Sequence, residues 1–161
     1  MKKIILILSV LLPLMALSQN KSTSPNQYFE AKNLCIDSSC NPYLYYKVYD
    51  WIGARYKYSG STQQGIDCSG FVNEIYKNVY CKELAASSGE IYKQTIAVKK
   101  DSLKEGDLLF FKIRKGRISH VGLYLGNNKF AHATTKVGVT VSDLDEPYYK
   151  KYFYKCGRLI Q

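Results

Sequence analysis

The residues best equipped for covalent chemistry are one cysteine and two histidines. Cys68 lies in Gly65-Ile66-Asp67-Cys68-Ser69-Gly70-Phe71-Val72, and Phe71, Val72, Ile75, Tyr76 and Val79 repeat at helical spacing behind it. Cys68 therefore falls in the first turn of an amphipathic helix that opens near Asp67. Backbone N–H groups in a first turn have no partner inside the helix, so they favour an anion and are expected to lower the pKa of a thiol placed there. The thiolate is the attacking form of cysteine. The plainer alternative is a buried cysteine that only packs.

A nucleophilic thiol needs a base, and the chain has 2 histidines. His120 lies in Ser119-His120-Val121-Gly122-Leu123-Tyr124-Leu125-Gly126, and His132 in Phe130-Ala131-His132-Ala133. Both fall on expected neighbouring strands joined around Gly126-Asn127-Asn128. Side chains alternate faces along a strand, so register decides whether the two rings meet. A three-residue loop, Gly126 to Asn128, sets Leu125 against Lys129 and Gly122 against His132. His120 and His132 then share a face as diagonal neighbours. A two-residue turn puts them on opposite faces. With the odd-length loop, His120 would take the proton from Cys68, and His132 would orient the His120 ring through its other nitrogen. The plainer alternative for each histidine is a satisfied polar residue at the rim of a sheet. A zinc site is disfavoured, because the chain has neither a C-x-x-C nor an H-x-x-x-H pair. A phosphate-binding glycine loop is also absent, so neither a metal nor another cofactor is expected.

The elements that must position these residues are legible in outline. Asn41-Pro42 has the form of a capped helix start, Tyr45, Val48, Tyr49 and Ile52 follow at helical spacing, and Gly53 closes the run. Residues 54 to 66 read as loop. Ser87 or Ser88 with Glu90 predicts a short capped helical turn through Gln94. Beyond it the period changes, and 107 to 111, 118 to 125, 129 to 133 and 137 to 141 read as strands. Helices first and sheet second predict an α+β fold. The 161 residues suit one domain.

The N-terminus reads as an export signal. Lys2 and Lys3 precede an apolar run from Ile4 to Leu12, and Ala16-Leu17-Ser18 suits cleavage before Gln19. An uncleaved anchor is the alternative, although the run is short for a membrane span. Residues 19 to 42 read as a polar, loosely packed arm. The formal net charge of +10 draws the chain to anionic surfaces, or simply keeps it soluble. Nucleic acid is disfavoured by export and by the scatter of the lysines. The 15 tyrosines suit a groove for a polar ligand as well as ordinary packing. Five cysteines leave at least one thiol unpaired in an oxidising compartment. Cys35 could close a small loop with Cys40, and Cys81 could then pair with Cys156, leaving Cys68; the pattern does not fix the connectivity.

Four stretches, in order, resemble the NlpC/P60 family of cell-wall peptidases: Gly53-Ala54-Arg55-Tyr56 leading to Gly60; Asp67-Cys68-Ser69-Gly70-Phe71-Val72; Gly106-Asp107-Leu108-Leu109-Phe110-Phe111; and the two histidine segments. The resemblance implies a papain-like α+β fold over residues 43 to 161, with N-terminal helices packed on a central antiparallel sheet. It implies Cys68 as nucleophile, His120 as base and His132 as the orienting third residue. It further implies an exported hydrolase, periplasmic or extracellular, that acts on peptidoglycan stem peptides at the bond between D-glutamate and the following diamino acid. Tyr56 is expected near the nucleophile, where it and the Cys68 backbone N–H can donate toward a developing oxyanion. Asp67, Ser69 and Ser119 are expected to hold substrate, Asp67 by binding a free N-terminal amine in one subgroup. A monomer is expected. The chain departs from the family in having Ser59-Gly60 where Gly-Gly is common, in its extra cysteines, and in an arm too short for a separate wall-binding module. The alternatives are a non-catalytic module that binds wall peptides, and an amidase of the CHAP type or a lipid acyltransferase.

Overall fold

The computed structural model describes residues 23–114 and 116–160. The expected signal peptide, residues 1 to 18, lies outside the described residues. Two short helices come first, α1 (Pro25–Glu30) and α2 (Pro42–Trp51), followed by a small hairpin of β1 (Ser61–Thr62) and β2 (Gly65–Ile66). Helices α3 (Cys68–Tyr80) and α4 (Ser88–Lys93) lead into β3 (Thr95–Val98). A 3-10 turn precedes β4 (Leu108–Phe111), β5 (His120–Gly126), β6 (Lys129–Thr134) and β7 (Gly138–Asp143). Helix α5 (Pro147–Tyr152) and β8 (Phe153–Leu159) end the chain's described part.

Six strands form one antiparallel sheet in the order β3-β8-β4-β5-β6-β7. Alternation divides their side chains between two faces. Leu108, Phe110, Val121, Leu123, Leu125, Ala131 and Ala133 join the large core with Phe71, Val72 and Ile75 of α3 and Leu44, Tyr45 and Val48 of α2. Leu109, Phe111, Phe130 and Cys156 form a second, smaller core on the other face, against which Tyr149 and Tyr152 of α5 pack. Helices over an antiparallel sheet give the expected α+β class.

Several elements differ from expectation. The arm contains α1, closed by a reciprocal capping box between Ser24 and Gln27, and Phe29 is fully buried against Tyr45. One large aromatic is enough to dock this otherwise polar segment. Strand β8 escapes a reading by alternation because it lies between β3 and β4, with Lys155, Gly157 and Arg158 interrupting the pattern. Neither disulfide is formed, and all five thiols are free. Cys81 is the exposed left-handed cap of α3, whereas Cys156 is buried in the core on the far side of the sheet from α3. The Cys40 thiol is instead bonded to the Asp37 carbonyl.

One ion pair ties β8 to the start of β4. Asp107, almost wholly buried, accepts from Arg158 Nε and Nη2, both at 2.7 Å, and from the Lys104 backbone N–H at 2.8 Å. Removing the guanidinium strands a buried carboxylate, which costs far more than an exposed pair is worth. Arg158→Ala is expected to lower the unfolding free energy by about 3 kcal/mol in a denaturant titration.

Candidate active site

Helix α3 begins at Cys68 because Asp67 caps it. Asp67 Oδ1 accepts from the Gly70 backbone N–H at 2.7 Å and from the Ser69 hydroxyl at 2.9 Å, and Oδ2 accepts from the Ser59 N–H at 2.9 Å. The same carboxylate thus starts the helix and holds the 54 to 66 loop against its first turn. Gly70 allows that closeness, since a Cβ there would lie 2.5 Å from the Gly60 carbonyl oxygen. Ser59 sits at φ +54, a left-handed conformation that glycine adopts more readily, and its side chain lines the cleft.

The histidines come together through an unexpected turn. The loop is the two-residue Asn127-Asn128, both at positive φ, and Gly126 pairs with Lys129. A register shift at Leu125 then inserts one extra residue into β5, so that Leu123 faces Ala131 and Tyr124 faces Phe130. The bulge restores the odd count that a three-residue loop would have supplied, and His120 and His132 share a face. Leu125 is held in place by burial of its side chain and by the Tyr45 hydroxyl, which donates to its carbonyl. His120 Nε2 lies 2.8 Å from His132 Nδ1, and His132 Nε2 lies 3.1 Å from Ser142 Oγ. Phe111 packs beside the His120 ring, and Phe130 and Tyr149 beside that of His132. The β5–β6 ladder is not continued at Val121, whose backbone favours the anionic form of the Cys68 thiol.

A cleft of about 740 Å³ is lined by Tyr56, Asp67, Cys68, Ser69, Ser119, His120 and His132, so every expected site residue meets in one place. Their engagements differ. Ser69 is buried on Asp67, and the Ser119 hydroxyl accepts from the Arg114 backbone N–H at 3.0 Å. Both behave as local hydrogen-bonders. The cleft also includes Glu90, Arg114, Arg117 and Tyr149, which the motifs did not flag. Ser142, one position past the expected end of its strand, was missed for the same reason: it carries no motif, only a contact. Among the described residues no group of His, Cys, Asp and Glu is gathered that could hold a metal ion.

The electrostatics correct one expectation. Burial pushes the Cys68 thiol up to about 11, outweighing the backbone N–H groups of Val121, Ser69 and Cys68 that favour its anion. Burial likewise pushes His120 down to about 4, with Asp67 opposing, and holds His132 well below the usual range. Burial therefore favours the neutral thiol of Cys68 and the neutral imidazole of His120 in the cleft that both line. Burial, with help from Cys68 and Asp67, raises the Tyr56 phenol, which stays protonated and able to donate. At pH 7 the thiolate absorbance near 240 nm, taken as the difference from Cys68→Ser, is expected to be absent. His120 has the opposite consequence for stability. Its unfolded form protonates near 6.5 and its folded form near 4, so stability is full above about 6.5 and falls as the pH drops toward 4. Chemical denaturation across that window is expected to show a smaller fall for His120→Gln.

Comparison with known proteins places this geometry in context. The sequence pattern of the NlpC/P60 family matches residues 53–158. Over 112 residues the chain is 43% identical to the murein DD-endopeptidase MepS/murein LD-carboxypeptidase of Escherichia coli K12, covering 69% of this chain and 58% of that protein. The chain thus spans a little over half the length of that relative. It is 35% identical to the probable endopeptidase NlpC of the same organism, covering 96% of this chain and 97% of the relative. In three dimensions it resembles the crystal structure of an NlpC/P60 family protein from Bacillus cereus, with a TM-score of 0.69 and 29% identity, covering 74% of this chain and 40% of that one. The helix-start cysteine, the paired histidines and the match over residues 53–158 agree, and the chain belongs to the NlpC/P60 family.

Proposed function

We propose that this domain is a cysteine endopeptidase of peptidoglycan stem peptides, with Cys68 as nucleophile, His120 as base and His132 as the residue that orients the base. The observation that carries the reading is the 2.8 Å contact between the two histidine rings in the cleft that Cys68 lines. A histidine whose Nε2 is fixed by a neighbour has its Nδ1 free to work as a base. The names of the E. coli relatives, both endopeptidases and one acting on murein, support the substrate class. Export to the periplasm or beyond, where that substrate lies, goes with the signal-like residues 1 to 18.

The chemistry follows from the neutral resting pair. As the sulfur attacks the scissile carbonyl carbon, its proton passes to His120 Nδ1, and a tetrahedral intermediate forms. The Tyr56 hydroxyl and the Cys68 backbone N–H supply donors for its oxygen. The carbon–nitrogen bond then breaks, the leaving amine takes the proton back from His120, and a thioester remains on Cys68. Water, deprotonated by His120, attacks the thioester carbonyl and releases the acid and the thiol. Asp67, Ser69 and Ser119 line the groove for the peptide, with Asp67 able to face a free amine. The bond favoured by the family resemblance joins D-glutamate to the diamino acid.

A neutral, buried thiol also suits a module that binds wall peptides without cutting them. Digestion of muropeptides with mass spectrometry of the products separates the two readings and identifies the bond. Wild-type protein is expected to yield fragments broken at the D-glutamyl bond. Cys68→Ala is expected to lose at least about 10³-fold in kcat/KM while keeping its circular dichroism spectrum. Equal cleavage by the variant removes Cys68 from the mechanism, and binding without cleavage by the wild type favours the module.

A further inference from the structure

The contacts of His132 extend beyond the dyad. Its ring is fully buried and both nitrogens are engaged, Nδ1 with His120 Nε2 at 2.8 Å and Nε2 with Ser142 Oγ at 3.1 Å. Ser142 lies on β7, across the ladder from Phe130 and two residues past Thr140, the partner of His132. The Ser142 side chain also opposes the burial that raises the Tyr149 phenol. Tyr149, from α5, stands at right angles to both the His132 and Phe130 rings, with centroids 5.0 Å away in each case. Two elements that hold no expected site residue thus close over the outer side of His132.

Hydrogen-bond polarity along this chain is constrained. For His120 to accept the Cys68 proton at Nδ1, its own proton must sit on Nε2. That N–H donates to His132 Nδ1, which must then be bare. The single proton of neutral His132 is left on Nε2, where it needs an acceptor. In this buried site that acceptor is the Ser142 hydroxyl. Reversing His132 would give His120 Nε2 a donor instead of an acceptor. His120 would then carry its proton on Nδ1, facing the thiol and unable to receive another.

We propose that Ser142 is a positioning residue: by accepting from His132 Nε2, with Tyr149 behind it, the hydroxyl selects the tautomer of His132 and, through it, that of His120. The role rests on the reading of His120 as the base. It reaches the chemistry through two rings and touches no substrate atom. A buried N–H without an acceptor is costly, so the reversed tautomer gains ground once the hydroxyl is lost. A misdirected base of this kind can cost orders of magnitude in turnover, as the wrong tautomer does in the serine-protease triad.

The test pairs a spectroscopic with a kinetic readout. Long-range 15N–1H correlation of both histidines at pH 7, in the full chain carrying Cys68→Ser, reports their tautomers whether or not the protein is a peptidase. The proton is expected on Nε2 of both rings. Adding Ser142→Ala is expected to move His120 detectably to the Nδ1–H form, and Ser142→Thr, which keeps the hydroxyl, to restore the original spectrum. In the active background, Ser142→Ala is expected to lower kcat at least about 10-fold at unchanged KM, with Ser142→Thr recovering most of it. Unchanged tautomers in Ser142→Ala overturn the proposal, whatever the kinetics. Tautomers that shift as expected in a protein that cleaves no muropeptide leave the tautomer selection by Ser142 standing and remove the peptidase reading instead.

Discussion

The site depends on one constraint, the parity of the β5–β6 hairpin. A strand shows alternate residues to opposite faces, so one residue more or less between His120 and His132 sends their rings to opposite sides of the sheet. The tight Asn127-Asn128 turn alone would do that. The bulge at Leu125 cancels it, and the 2.8 Å contact between the rings is the result. The bulge is anchored from outside the sheet: Tyr45 of α2 donates to the Leu125 carbonyl, and Phe29 of α1 packs on Tyr45. The N-terminal helices therefore help set the register of strands that lie some 80 residues later.

The two faces of the sheet divide the labour. α3 rests on one face and delivers Cys68 from its first turn, held there by the Asp67 cap and its bonds to Ser59, Ser69 and Gly70. The histidine rings occupy the other face beside Phe111 and Phe130, under Tyr149. Cys68 and the two histidines line one cleft where the β5–β6 ladder has ended. Burial of all three groups favours the neutral thiol and imidazoles at rest, and under the proposed mechanism charge arises as the proton moves during attack. Dry surroundings of this kind strengthen each fixed dipole aimed at the developing charge.

What the sequence reveals follows what its patterns encode. The helix behind Cys68 and the strands carrying the histidines are strongly periodic and capped, and they are found as expected. The parity of the hairpin was also within reach, although its means was not, because a bulge at Leu125 leaves no mark in residue type. The thiol pKa was misjudged because a helix start is local, whereas burial depends on β5 folding back over it. Strand β8 and helix α5 are nearly illegible: Lys155, Gly157 and Arg158 disguise the one, and three tyrosines with two lysines the other. Ser142 and Tyr149 stand outside every motif, and only the folded sheet brings them to His132.

Stoichiometric alkylation tests the central claim most directly. The protein carries five free thiols, so activity on muropeptides would be followed against the modification of each cysteine, mapped by peptide mass spectrometry. The account predicts that hydrolysis falls in proportion to alkylation of Cys68 alone, is slowed by added stem peptide, and is indifferent to modification of Cys35, Cys40, Cys81 and Cys156. Full modification of Cys68 with peptide hydrolysis retained would contradict it.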